Sequence, residues 1–143
     1  MRVLSQKRRF KRRKRSKYSN SVKSGQSMDA YAERNELLLC LGYRNYRQYL
    51  RSDVWKRIRS EQLEKESNCY GCFCPAEAVH HGRYTEENLT GQTGKDLYSI
   101  CTRCHEKCEV TQSGYKRNPI DATRTLSRMR KMTLALKALK FNR

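Results

Sequence analysis

No stretch of this 143-residue chain is apolar enough to cross a bilayer. The longest aliphatic run, Leu37-Leu38-Leu39-Cys40-Leu41, is a fraction of the roughly twenty residues that a spanning helix takes. The N-terminus lacks a secretory pattern as well, because Val3-Leu4 is followed by charge rather than by an apolar segment. An intracellular chain, cytoplasmic or nucleoid-associated, is therefore expected. Hydrophobic residues are scarce, 36% of the chain against 32% charged, so apolar burial alone gives a thin core. A single domain of this size then needs a covalent or metal staple. Acidic residues are missing from residues 1–27, no internal repeat is present, and histidine occurs only three times.

What is abundant is positive charge, +18 overall and unevenly placed. Residues 1–27 hold eleven Lys or Arg, and residues 111–143 hold nine against the single acid Asp121. The body between them, residues 28–110, has twelve basic and thirteen acidic residues. Two basic arms on a near-neutral body suit a protein held on a polyanion, since counterion release gives affinity without sequence preference. DNA, RNA and an anionic membrane surface all satisfy that charge. The expected contacts in the first arm are Arg8, Arg9, Lys11, Arg12, Arg13, Lys14 and Arg15. A solvated tail or a nuclear-localisation-like signal is the plainer reading of the same run. The rest of the chain favours DNA, with RNA as the alternative and no membrane; oligomeric state has no signature here.

Four segments follow. Residues 1–27 read as a disordered arm, and residues 28–68 as a helical lead-in. Within the lead-in a helix over 29–41 ends near Gly42, and Tyr43, Tyr46, Tyr49 and Leu50 fall at helical spacing. Ser52 reads as the N-cap of a third helix, reaching about Ser67, with Asp53 in its first turn. Trp55, Ile58 and Leu63 form its buried face, with Lys56, Arg57 and Arg59 mostly off it. Residues 69–110 carry the motifs, with strands expected over 76–84 and 97–100 and a short helix over 102–110. Residues 111–143 contain a break at Asn118-Pro119. An amphipathic helix capped by Asp121 follows, with Leu126, Met129, Met132, Leu136 and Leu139 on one face. Packing on the domain together with phosphate contact suits that helix better than a membrane surface, since its apolar stripe is narrow. The whole is expected to be a small α+β domain.

A chain kept in a reducing compartment does not use seven cysteines as a disulfide framework, which leaves metal binding. Cys69-Tyr-Gly-Cys72 and Cys101-Thr-Arg-Cys104 are two CxxC knuckles. Each aims two sulfurs at one ion through a tight turn, and two such turns complete a tetrahedral Zn²⁺ site. The 28 residues between them exceed the spacing of a bare zinc ribbon, which leaves room for a functional loop. Cys74 and Cys108 lie close enough in sequence to replace a neighbour, whereas Cys40 reads as a buried apolar residue. Cys101-Thr-Arg-Cys104-His105 also satisfies the c-type haem attachment pattern. That reaction takes place outside the cytoplasm and leaves the first knuckle without a role.

All three histidines lie in the same region: His80-His81 between the knuckles and His105 directly after Cys104. Adjacent side chains on a strand point to opposite faces, so a bend after His80 is needed for both to reach one site. With that bend, His80 and His105 share a metal and His81 stays free to take a proton, a task suited to an imidazole. The plainer reading makes each a zinc ligand or a surface group.

The ordered set Cys69-x-x-Cys72, Val79-His80-His81, Asp96-Leu97 and Cys101-x-x-Cys104-His105 resembles the HNH (His-Asn-His) endonuclease signature in its zinc-knuckled branch. The stretch from Tyr46 to Arg59 is similar to the helical lead-in of that branch, and the likeness covers about residues 43–109. The resemblance implies a ββα-metal fold, a hairpin and a helix clamped around one catalytic divalent ion. It makes His80 and His105 metal ligands and His81 the general base. Asp96 takes the middle position, which braces the hairpin loop and orients the base, and where the family name calls for Asn. Structural Zn²⁺ and a catalytic Mg²⁺, Mn²⁺ or similar ion are implied, with hydrolysis of phosphodiester bonds in DNA as the activity. The alternative is a non-catalytic, zinc-stabilised protein that binds RNA or a ribonucleoprotein.

Overall fold

The computed structural model describes residues 30–141, and the candidate contacts Arg8 to Arg15 lie outside the described residues. The fold is a small α+β arrangement of six helices and a two-stranded antiparallel sheet. Three helices come first: α1 (Ala30–Cys40), α2 (Tyr46–Arg51) and α3 (Asp53–Lys65). Asn45 caps α2 by accepting from the Gln48 amide at 2.9 Å. Ser52 caps α3, with its hydroxyl 3.2 Å from the Trp55 amide and Asp53 in the first turn, so two amides without helical partners are satisfied locally. Strand β1 (Ala78–His81) and strand β2 (Leu97–Ile100) enclose a short helix, α4 (Glu86–Thr90). Helix α5 (Thr102–Glu109) follows β2 directly, and α6 (Pro119–Phe141) closes the chain.

The hairpin is the partition of the molecule. Its register pairs Val79 with Ser99 and His81 with Leu97, and on the alternate positions Ala78 with Ile100 and His80 with Tyr98. Side chains alternate across a strand, so the two sets face different cores. On one side Val79 and Leu97 join Leu38, Tyr49, Trp55, Ile58 and Leu89. On the other, Ile100 joins Cys69, Cys104, Cys108, Ala122 and Leu126. Ser99 donates to the Gln62 carbonyl at 3.3 Å and Gln62 Nε2 to the Leu97 carbonyl at 3.4 Å, which fastens α3 to β2.

Several expectations are adjusted. Strand β1 runs straight through His80 and His81, both paired, and the chain turns at Gly82. No bend follows His80, so the two imidazoles go to opposite faces. The cap of α6 is Asn118, whose side chain accepts from the Asp121 amide at 2.9 Å. Pro119 takes the first helical position, where its missing N–H costs nothing, and Asp121 lies in the first turn. The apolar stripe of α6 is packed only in its first half: Leu126 is buried and Met129 partly so, while Met132, Leu136 and Leu139 are exposed. Helix α4 was hidden in what read as a loop. Its Leu89 is fully buried against the α3 side of the hairpin. Cys40, expected inside, is exposed.

Candidate functional site

Four sulfurs meet on the α6 side of the hairpin. Cys69, Cys72, Cys101 and Cys104 place their sulfurs within 4.8 Å of one another. The loop after α3 supplies the first pair, fixed by the Cys69 amide on the Cys74 carbonyl at 2.7 Å and the Tyr70 amide on the Ser99 carbonyl at 2.8 Å. The second pair comes from the start of α5, where Cys101 is the N-cap residue. Sulfurs around tetrahedral zinc lie about 3.8 Å apart for a bond of about 2.3 Å, and Cys72 Sγ and Cys101 Sγ are 3.6 Å apart. Burial and the neighbouring thiols push Cys104 up, and burial raises Cys101. Burial also opposes ionisation of Cys69, but backbone hydrogen bonds from Cys101, Cys72 and Gly71 outweigh it and bring that thiol down to about 7. Four thiols this close cannot all ionise without a cation between them. The cluster thus fits a metal ion such as zinc. Cys74 is exposed and Cys108 bonds the His105 carbonyl at 3.2 Å; neither is one of the four.

A second group lies one residue further along the chain. His80, His105 and Glu109 each present a donor atom, all within 4.8 Å of one another. Glu109 Oε1 is 3.0 Å from His105 Nε2 and 3.8 Å from His80 Nδ1. The hydrogen bonds from His105 and His80 hold the Glu109 carboxyl well below the usual carboxylate range. Residues four apart on a helix share a face, so His105 and Glu109 of α5 act from one turn while His80 reaches them from β1. The other nitrogen of His80, Nε2, lies 3.2 Å from the Thr123 hydroxyl of α6, and that contact fixes the ring as outer partners of metal-binding histidines do. Two imidazoles and one carboxylate with positions to spare form the donor set of catalytic divalent sites. His80 is buried, whereas His105 and Glu109 are about a third exposed. The group therefore opens to solvent on the α5 side.

His81 is not one of these three. It lies on the other face of β1, stacked on Trp55 at 4.6 Å and Tyr84 at 5.1 Å, with Tyr46 and Tyr49 also around it. Among the described residues its Nε2 has no hydrogen-bond partner. Burial is the main reason its pKa falls to about 3, and positive charge on His80, Arg34 and His105 would lower it further. The imidazole is neutral at ordinary pH and lies within electrostatic reach of the second group. Asp96 stands at φ +63, a left-handed backbone that Asp tolerates better than most residues. Its carbonyl accepts from the Gly82 amide at 2.7 Å, so it braces the hairpin through its backbone. Gly82 is dictated by space: a Cβ there would lie 2.8 Å from Tyr98 Cε2, 3.0 Å from Thr123 Oγ1 and 3.2 Å from the Asp96 carbonyl.

Glu109 and Thr123 were missed from sequence. The spacing His105-x-x-x-Glu109 on a short helix was the available signal for the first, whereas Thr123, 43 residues from His80, carries none. Arg34 of α1 and Lys116 carry no such signal either. Each lies 5.0 Å from the Tyr31 ring, and Arg34 lies 4.2 Å from the ring of Tyr46. No helix among the described residues is long and apolar enough to cross a membrane. No protein-family model matches the chain, and no curated protein or solved structure matches it either.

Proposed function

We propose that the chain is a metal-dependent nuclease of the HNH type that hydrolyses phosphodiester bonds in DNA. The observation that carries this reading is the convergence of His80, His105 and Glu109 at the junction of a hairpin and a helix. In this reading the four cysteines hold structural zinc and clamp that junction, while His80, His105 and Glu109 hold Mg²⁺, Mn²⁺ or a similar divalent ion. Such an ion supplies Lewis-acid stabilisation of the scissile phosphate and the departing 3′ oxygen. Thr123 keeps His80 turned toward the site. Water attacks phosphorus and gives its proton to solvent, the new P–O bond forms as the P–O3′ bond breaks, and the 3′ oxygen takes a proton from solvent; His81, expected from sequence to be the base, is buried on the opposite face of β1 and is not placed to take that proton. Asp96 holds the hairpin end in shape, and the basic arms anchor the backbone without reading sequence.

One observation favours a second reading, a zinc-stabilised binder of RNA or a ribonucleoprotein without turnover. His81 is only 3% exposed, and a neighbourhood that lowers its pKa to about 3 makes it a poor proton acceptor. The test is incubation of the full chain with supercoiled plasmid and Mg²⁺, Mn²⁺ or Ni²⁺, with His105→Ala and His81→Ala beside it. The nuclease reading expects nicked or linear product that His105→Ala abolishes while bound zinc stays constant. Cleavage equal in all three proteins, or absent with every metal, refutes it. Cleavage lost in His105→Ala but kept in His81→Ala removes His81 as the base and leaves the metal group standing.

A further inference from the structure

Beside the hairpin end, on the α6 side, lies an open cleft of about 450 Å³. Helix α6 forms one wall and presents Arg124, Arg128 and Lys131 to it; Arg83, the second residue after His81, comes from the hairpin. Asp96 is the single carboxylate on the lining. Arg124 is already paired with Asp121 at 3.0 Å. Arg83, Arg128 and Lys131 make no ion pair among the described residues and are exposed. Like charges collected around one concavity repel one another unless an anion fills it.

We infer that this cleft is a groove for the sugar–phosphate backbone of a nucleic-acid strand, with Arg83, Arg128 and Lys131 as its phosphate contacts. Spacing supports an extended polyanion over a single small anion. Positions 124, 128 and 131 follow one face of a helix. At a rise of 1.5 Å per residue they span about 10 Å, longer than a single phosphate and enough to meet neighbouring phosphates of one strand. Concavity argues against a membrane, whose flat surface meets protruding rather than recessed cations. Position ties the cleft to the second metal-type group. Thr123 lines the cleft and also touches His80 Nε2 at 3.2 Å, and Gly82, next to His81, lines it as well. A strand lying here would therefore run past Thr123, one hydrogen bond away from His80. The inference rests on the reading of the chain as one that acts on nucleic acid, and it does not require that cleavage occur.

The test uses the full, zinc-loaded chain with no second metal added. Anisotropy of a fluorescein-labelled single-stranded and a duplex oligonucleotide is measured across a KCl series. The variants are a triple Arg83→Ala, Arg128→Ala, Lys131→Ala protein and a control triple Arg47→Ala, Arg51→Ala, Lys65→Ala. Each lost phosphate contact reduces the slope of log K against log salt by about 0.9 on duplex and somewhat less on single strands. The cleft triple is expected to lose about two to three in slope and the control less than one. A slope unchanged in the cleft triple, or reduced equally in the control, overturns the inference. Loss of binding to anionic phospholipid vesicles or to polyglutamate, with oligonucleotide binding intact, also overturns it. His105→Ala in the same assay keeps the two readings apart, since a catalytically dead protein that retains the slope leaves the cleft assignment whole.

Discussion

Stripping the metal from the four-cysteine cluster should unfold the domain outright rather than merely loosen it. Cys69 and Cys104 are essentially inaccessible, and they join the loop after α3 to the start of α5. A Cβ on Gly71, inside the first knuckle, would lie 2.9 Å from Leu126 Cδ1 and 3.3 Å from Cys104 Sγ, which shows how tightly α6 is seated over the cluster. A domain of about 110 residues is stable by about 5–15 kcal/mol. Structural zinc contributes about 10–16 kcal/mol at neutral pH, as much as the whole net stability, so its loss removes most or all of it. With the ion gone, thiols this close must protonate, and nothing else links the two segments covalently. The assay is circular dichroism during a thermal melt, before and after a strong chelator and again after zinc is returned, with released metal counted by a chromogenic dye. One zinc per chain should be released as the cooperative transition disappears, and the transition should return with the metal. A chain that still melts cooperatively after complete removal, or that releases no zinc on unfolding, refutes the assignment of these sulfurs to a folding site.

Two further outcomes follow from the packing. Leu126→Ala removes a fully buried side chain at the seam of α6 and the cysteine cluster and should cost about 3–5 kcal/mol, seen as a Tm drop of more than about 10 °C in the zinc-loaded protein; a shift of a degree or two would mean that α6 is not seated there. Thr123→Val takes the hydroxyl from His80 Nε2 at nearly constant volume and should weaken Mn²⁺ at the second group by about 10–100-fold, while Thr123→Ser retains it; titration calorimetry against Mn²⁺ separates the two.

Local chemistry was readable, and long-range placement was not. Ser52 announced α3 because an N-cap is a short-range hydrogen bond, and Leu97–Ile100 appeared as a strand with its expected bounds. The CxxC pairs declared themselves because a turn of two residues fixes where both sulfurs aim. The His80 and His105 pairing was legible as spacing. The direction of His81 was not, since it depends on whether the strand bends, and the pairing of His81 with Leu97 keeps it straight. Periodicity showed that Met132, Leu136 and Leu139 share a stripe with Leu126, but periodicity does not say where the partner surface ends. The apolar part of that surface stops after the first half of α6, and beyond it only Thr133 and Lys137 meet the knuckle, so the later apolar members stay exposed.

The hydrogen bond between His80 and Thr123 ties together positions 43 residues apart. A substitution that unseats α6 is therefore felt at the three-donor group without touching any of its donors.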